Sequence, residues 1–111
     1  MKTLNRIKKS DDFATAIHKG NSFRLPSYVV HVYKTNNGFT RVGISASSKL
    51  GCAVVRNRIK RQTRAICDSV IDYNKQSLDI VIIVKPKFLT NTFDDNKSYL
   101  YDLVKQIGVI K

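Results

Sequence analysis

The sequence predicts an α+β fold in which helices pack on a mixed β-sheet. Three observations predict it: two long segments carry apolar residues at helical spacing, a run near residue 80 is apolar on both faces, and strand-like segments lie between residues 22 and 45. The predicted order is helix, strands, helix, strand, helix, which is typical of a two-layer sandwich. With 111 residues and no linker or repeat, residues 1–111 are predicted to form a single domain.

The N-terminal third is predicted to contain a helix and a hairpin. The helix begins with Ser10 as N-cap, runs to about Lys19 and stops at Gly20. The β-branched and aromatic segment Tyr28–Tyr33 predicts a strand. Because Asn36-Asn37-Gly38 supplies turn residues, the segment Thr40–Ser45 is predicted to return beside that strand. A short strand is also expected near Ser22–Arg24.

The rest of the chain is predicted to alternate helix, strand and helix. A long helix from about Ala53 to Tyr73 buries a stripe formed by Val55, Ile59, Ile66 and Val70. The strand Ser77–Val84 is apolar on both faces, which favours a central, doubly covered position, and Pro86 ends it. The last helix begins at Thr92, whose pattern with Asp95 resembles a capping box, and its buried stripe comprises Leu100, Leu103, Val104 and Ile107.

The positive charge lies in the N-terminal part of the chain. Residues 1–64 contain 14 basic and 2 acidic residues, whereas residues 65–111 contain 6 of each, so the first part carries the entire net charge of +12. A basic surface of this kind attracts polyanions and accelerates encounter with them. Nucleic acid is the first candidate partner, and an anionic membrane surface is the second.

Several classes of protein fit the sequence poorly. No apolar run approaches the ~20 residues of a membrane span, and the N-terminus has no signal-peptide stretch, so a soluble cytoplasmic protein is expected. Two isolated cysteines, Cys52 and Cys67, form neither a disulfide framework nor a zinc motif and are expected to be reduced thiols.

The most specific feature is a basic stretch within the long predicted helix. Five of the nine residues from Arg56 to Arg64 are cationic, and no acidic residue lies between Val54 and Ala65. Like charges at i,i+4 destabilise a helix by a few tenths of a kcal/mol, roughly. A solvated face normally mixes charges of both signs, so this face is predicted to bind an external anion, and arginine suits bidentate phosphate contacts. A membrane-surface helix is disfavoured because the apolar stripe is needed by the core.

A second candidate site lies between the first helix and the strand Tyr28–Tyr33. A shallow groove there would offer stacking surfaces to unpaired bases, and its lining would comprise Phe13, Ile17, His31 and Tyr33. The same periodicity is equally compatible with a simple role of these side chains in the core.

The sequence contains no pattern that predicts independent catalysis. Paired carboxylates, metal-ligand spacing, a nucleophile elbow and a phosphate-binding glycine motif are all absent. A nuclease site built from His18 and His31 is the remaining catalytic hypothesis. Metal ligands are not assigned; Asp11, Asp12 and Asp68 carry carboxylates but no motif.

The ordered set of motifs resembles the bacterial ribonuclease P protein component family. Arg41–Ser45 followed by Lys49–Arg61, with Arg-Asn-Arg at its centre, is similar to the signature of that family. The opening Leu4–Phe13 and the strand Ile80–Pro86 extend the resemblance over nearly the whole chain. The chain departs from the family at Ile17, where an aromatic is frequent, at His31, where Tyr is common, and at Ser48, where a basic residue often stands.

The resemblance implies an α+β sandwich, with helices on a mixed four-stranded sheet and a left-handed βαβ crossover. It implies that a catalytic RNA is bound by Lys49, Arg56, Asn57, Arg58, Lys60, Arg61 and Arg64. It also implies that the 5′ leader of precursor tRNA lies at or near the groove of Phe13, Ile17, His31 and Tyr33. The RNA subunit, with Mg²⁺ bound mainly through it, would perform the hydrolysis, and the protein alone would be inactive and need no protein partner. A ribosomal-type or general RNA-binding protein is the alternative.

Overall fold

The computed structural model describes residues 1–111 as three helices and four strands. The helices are α1 (Ser10–Lys19), α2 (Ala53–Val70) and α3 (Phe93–Ile107). The strands are β1 (Asn21–Arg24), β2 (Tyr28–Lys34), β3 (Arg41–Ser45) and β4 (Leu78–Val84). Short 3-10 turns precede α1, α2 and α3. No helix is long and apolar enough to cross a membrane.

The four strands form one mixed sheet in the order β1-β2-β4-β3. The strand β2 is antiparallel to both β1 and β4, whereas β3 is parallel to β4. The predicted fold class is therefore confirmed. The chain passes from β3 through α2 to β4, which is the βαβ crossover implied by the family resemblance; its hand stays a prediction.

The predicted hairpin between β2 and β3 is wrong. The strand β4 lies between them and pairs with β2 along all seven residues of each strand. Its side chains are apolar on both faces apart from Asp79, so a central position covers them, whereas a β2–β3 hairpin would leave β4 at an edge. The turn residues are instead held beside the start of β4, where the Gly38 amide donates to Ser77 Oγ at 3.0 Å.

The two faces of the sheet are covered by different helices. Alternate residues of β4, including Ile80 and Ile82, contribute to the main core with α2 and α3. On the opposite face, Val81 packs with Ala16 of α1 and with Ile7 in a smaller apolar cluster. The prediction that β4 is central and covered on both faces is therefore confirmed. The smaller helix α1 covers only part of its face, because it is 10 residues long.

The helix boundaries differ from the prediction in two places. Ser10 is the first residue of α1 rather than its N-cap; the N-cap is Lys9, which makes no side-chain cap. The helix α2 ends at Val70 instead of Tyr73, because Ile71 is extended and bridges Ile110. The predicted N-cap of α3 is confirmed, since the Asp95 amide donates to Thr92 Oγ1 at 3.1 Å. The reciprocal bond from the Thr92 amide to the Asp95 side chain is absent, so the capping box is incomplete.

Gly20 ends α1, as predicted, and it does so in an extended conformation. Its φ of −79° is open to any residue. A Cβ atom at this position would lie 2.5 Å from the carbonyl oxygen of Ala16 and 2.7 Å from that of Val32. Glycine is therefore required here because the backbone of α1 approaches the backbone of β2 closely.

Candidate nucleic-acid interface

The basic stretch lies on α2, which is fixed in the main core by one face. This face is buried and comprises Ile59, Thr63, Ile66, Cys67 and Val70. The predicted stripe is confirmed at three positions, and Val55 packs against the core while half-buried. Thr63 is compatible with this face because its hydroxyl donates to the carbonyl oxygen of Ile59 at 2.8 Å.

The cations of α2 occupy the rest of the helix surface. Asn57, Arg58 and Arg61 are exposed, and the flank of Arg56, Lys60 and Arg64 is half-buried. The three ion pairs of the molecule are Met1–Asp68, Arg41–Asp12 and Arg41–Asp79, so every Lys and Arg of α2 is without a carboxylate partner. Lys49 is also exposed, in the turn that precedes the helix. The helix thus presents uncompensated positive charge, as the sequence predicted.

Arg56 contributes a buried polar atom to this surface. Its Nε is shielded from solvent and has no hydrogen-bond partner within the chain. A buried donor without a partner is destabilising, since it has lost its hydration and gained nothing in return. The half-buried Arg56 side chain also makes no ion pair that would offset this cost.

The four predicted groove residues lie where α1 meets β2. Phe13 and Tyr33 pack on the smaller apolar cluster. His31 shares a face of β2 with Tyr33, and Ile17 is 37% exposed one turn beyond Phe13. The molecule has three cavities and none is lined by these residues, so this region is an open surface rather than a pocket. Phe13 and Tyr33 are partly buried in this cluster, which agrees with the alternative prediction that these side chains contribute to the core.

Glycine at position 43 allows the Phe13 ring to approach the backbone of β3 closely. A Cβ atom here would lie 2.5 Å from the Phe13 ring. The ring of Phe13 therefore lies directly on the backbone of β3 and bridges α1 to the sheet.

The strand register adds a cation to this open surface that the sequence analysis missed. Arg24 pairs with Val29, which lies on the same face of β2 as His31. Since paired residues of adjacent strands point to the same face, the exposed Arg24 flanks His31 diagonally. Only the pairing of β1 with β2 places it there, so no local sequence signal could have shown it.

Two small recesses adjoin basic residues. One has a volume of 210 Å³ and lies between α2 and the segment before α3; its rim includes Arg58, Gln62, Leu89 and Phe93. The other has a volume of 300 Å³ and lies at the N-terminal segment, and its charged lining comprises Arg6, Lys8, Lys9, Asp12 and Arg41. Neither recess could be predicted from the sequence, because each combines residues from distant segments.

Comparison with known proteins identifies the family. The family model "Ribonuclease P" matches residues 1–108. This chain belongs to the ribonuclease P protein component family. A ribonuclease P protein component from Mesoplasma florum is 41% identical over 105 residues, covering 94% of this chain and 96% of the relative. One from Bacillus cereus (strain 03BB102) is 37% identical over 110 residues, covering 98% of this chain and 96% of the relative.

Solved structures of the family share the fold. The ribonuclease P protein of Staphylococcus aureus has a TM-score of 0.81 at 32% identity, covering 96% of this chain and 98% of that one. A Thermotoga maritima ribonuclease P protein has a TM-score of 0.78 at 30% identity, covering 91% and 96%. A further S. aureus structure, with a TM-score of 0.78 at 31% identity and coverage of 96% and 90%, is that of a mutant with defective mRNA degradation activity. Membership of the family implies an RNA partner in a tRNA-processing ribonucleoprotein.

An ion pair joins the two parallel strands on the face of the sheet that α1 covers. Arg41 of β3 donates to both carboxylate oxygens of Asp79 on β4, at 2.9 and 2.6 Å, and reaches Asp12 of α1 at 3.4 Å. The hydrogen bond to Asp79 is the main cause of a raised pKa of Arg41, with smaller contributions from the charges of Asp79 and Asp12. This arginine is therefore committed to the fold, unlike those of α2.

The remaining reactive groups form no catalytic arrangement. Neither His18 nor His31 hydrogen-bonds to a carboxylate, and His31 Nδ1 is buried without a partner. No three side chains among the His, Cys and Asp residues cluster as a metal site.

Proposed function

We propose that this protein binds the catalytic RNA of ribonuclease P and the 5′ leader of precursor tRNA, and thereby assists removal of the leader. The protein would act in the cytoplasm as the accessory subunit of the endoribonuclease. The uncompensated cationic surface of α2 supports this proposal most directly. A helix that carries five Lys and Arg residues between positions 56 and 64, none paired, is stabilised when phosphates approach.

The helix α2 would anchor the protein on the folded RNA. Its residues contact phosphates through charge-assisted hydrogen bonds, which fix orientation but carry no base information. Arg58 and Arg61 project furthest from the core, and the flank of Arg56, Lys60 and Arg64 broadens the contact. Lys49 and Asn57 extend the same surface, so all seven residues that match the family motif are accessible or half-accessible to RNA.

The surface where α1 meets β2 would hold the leader. His31 and Tyr33 offer ring faces on the sheet, Phe13 and Ile17 offer apolar contact from α1, and Arg24 supplies a cation beside His31. Stacking of this kind tolerates many sequences because every base has a π-face. An open surface suits a single strand that must enter and leave in every turnover.

The hydrolysis would be carried out by the RNA subunit with Mg²⁺. The protein lacks a cluster of metal ligands and a paired base, so its contribution is positional. It increases the affinity for substrate and neutralises phosphates that the RNA must bring together. We therefore propose that Mg²⁺ is bound mainly through the RNA.

The deciding experiment is cleavage of precursor tRNA at low Mg²⁺ with a bacterial ribonuclease P RNA, with and without this protein. We expect cleavage at the mature 5′ end only when both are present. If several such RNAs show no dependence on the protein, the proposed function is wrong. Equal binding to unrelated structured RNAs, without any effect on cleavage, would instead identify a general RNA-binding protein.

A second candidate function is degradation of mRNA, which the description of the S. aureus mutant favours. It requires that the RNA-free protein cleave an unstructured mRNA. We expect no such cleavage, since neither histidine has an orienting carboxylate. Cleavage that is lost in both His18→Ala and His31→Ala would establish this second activity.

A further inference from the structure

The recess beside α2 combines two exposed apolar side chains with the basic helix. Leu89 and Phe93 are each 45% exposed, and both line this 210 Å³ recess. Its inner wall includes Phe88, which is buried and packs edge-on against Tyr28. Arg58, one of the most exposed cations of α2, lies at the rim. A recess lined by four hydrophobic and four polar side chains is therefore continuous with the proposed phosphate-binding surface.

Two of the four polar side chains that line the recess are hydrogen-bonded within the chain, and two are not. The Asn91 amide donates to Ser27 Oγ at 3.1 Å, and the Asn96 amide donates to the carbonyl oxygen of Phe88 at 3.1 Å. The side chains of Gln62 and Arg58 make no hydrogen bond within the chain. Gln62 can both donate and accept, which suits the edge of a nucleobase, and Arg58 can only donate.

We propose that one unpaired nucleobase of the RNA partner enters this recess, with its face on Phe93 and its edge toward Gln62, while Arg58 contacts a neighbouring phosphate. The inference rests on the proposed function, and it adds two base contacts to the phosphate contacts of α2: a hydrogen bond at Gln62 of α2 and stacking on Phe93 of α3. The volume favours a single planar group, because 210 Å³ is below the range of about 300–1,000 Å³ for sites of drug-sized ligands. Bases displayed in loops and bulges are the ones that proteins take out of an RNA in this way.

Charge favours RNA over a second copy of this chain as the occupant. Arg58 lines the recess, and two copies with a net charge of +12 each repel one another. A recess of this size also accommodates one side chain or base, not the apolar face of a helix. A nucleotide satisfies both requirements because its base is planar and its phosphate is anionic.

The test compares variants of the intact protein for binding to a bacterial ribonuclease P RNA over a range of salt. We expect Phe93→Ala and Phe93→Leu to weaken binding by about tenfold, because one base–aromatic contact is lost, with an unchanged salt slope because no phosphate contact is lost. Phe93→Tyr should retain the affinity. The matched control is Tyr101→Ala, since Tyr101 is 44% exposed on the same helix but lies outside the recess.

The outcomes separate this inference from the proposed function. Equal affinities for Phe93→Leu and the unmodified protein, or the same loss in Tyr101→Ala, would overturn the inference while the proposed function stands. Absence of specific binding by the unmodified protein would overturn the proposed function itself. A change in sedimentation of the free protein on replacement of Phe93 would show a second copy as the occupant and would overturn the base assignment. Phe93→Leu keeps an apolar side chain, so the comparison remains decisive if the alanine variant is unstable.

Discussion

At the scale of single residues, the two cysteines show how position alone changes the reactivity of one side chain. Cys52 is exposed at the N-cap of α2, where the backbone amides of Val55 and Val54 lower the pKa of its thiol. Cys67 is buried on the core face of the same helix, and burial raises the pKa of its thiol to about 12. The thiolate is the reactive form, so the two residues should differ strongly in alkylation rate.

We predict that iodoacetamide at pH 8 modifies Cys52 and leaves Cys67 intact. A lowered pKa increases the thiolate fraction of Cys52 at this pH, whereas Cys67 stays protonated and inaccessible. Peptide mass spectrometry measures both sites in one sample. Guanidinium-unfolded protein is the control, in which both cysteines react. Comparable labelling of both in the native protein would contradict the burial of Cys67.

Single residues were also where sequence reasoning reached its limit. The basic residues of α2 could be identified because charge density is a local signal. Gln62 and Phe93 could not be identified from the sequence, because neither residue type stands out in its segment. Only the fold brings the two side chains to the same recess. Arg24 was missed for the same reason, since its neighbour His31 is fixed by strand register.

At the scale of elements, the ion pair of Arg41 with Asp79 connects the two parallel strands to α1. The Asp79 side chain is only 4% exposed, and Arg41 also reaches Asp12 of the helix. Removal of the arginine leaves a buried carboxylate without its charge partner. Loss of one partner alone is more destabilising than loss of both, because the remaining buried charge keeps its desolvation penalty.

We predict that Arg41→Ala lowers the free energy of unfolding by about 3 kcal/mol, as measured by urea denaturation. The double variant Arg41→Met/Asp79→Leu is the control. It removes both charges and fills the space with apolar atoms, so it should recover much of the loss. A loss below about 1 kcal/mol in Arg41→Ala would mean that the pair behaves as a solvent-screened surface contact.

The elements themselves were predictable, but one of their pairings was not. Propensity and periodicity identified all three helices and all four strands to within a few residues. Turn residues at Asn36–Gly38 predicted that β2 and β3 pair, yet the loop between them spans the width of β4. A strand that is apolar on both faces gains more from the centre of the sheet than a local hairpin gains from its turn. The choice between a central β4 and a β2–β3 hairpin depends on the whole sheet, so no short segment of the sequence predicts it.

At the scale of the whole molecule, the basic and the neutral parts of the sequence contribute different elements to the fold. Residues 1–64 carry a net charge of +12 and contain α1 and the basic part of α2, whereas the rest of the chain is neutral and supplies β4 and α3. Thirteen of the 19 buried residues of the main core lie in the neutral part, and the other six lie in the basic part.

We predict that Arg58→Ala and Arg61→Ala each weaken binding to ribonuclease P RNA and reduce its salt slope by about one unit. Each removes one exposed cation, and hence one phosphate contact, from α2. The control is Lys105→Ala, an exposed cation of α3 in the neutral part, which should leave the slope unchanged. Equal effects of all three variants would indicate general attraction by net charge instead of a defined surface.

The two edges of the sheet also limit how this protein behaves before it meets its RNA. At the β3 edge, the Ile7 amide donates to the carbonyl oxygen of Val42 at 3.0 Å, so the N-terminal segment already occupies that side. At the β1 edge, only the four residues Asn21–Arg24 are available, and the last is a cation. Neither edge offers the long row of free backbone groups on which strands of separate copies stack. Strand pairing between separate copies of the chain is therefore disfavoured at both edges.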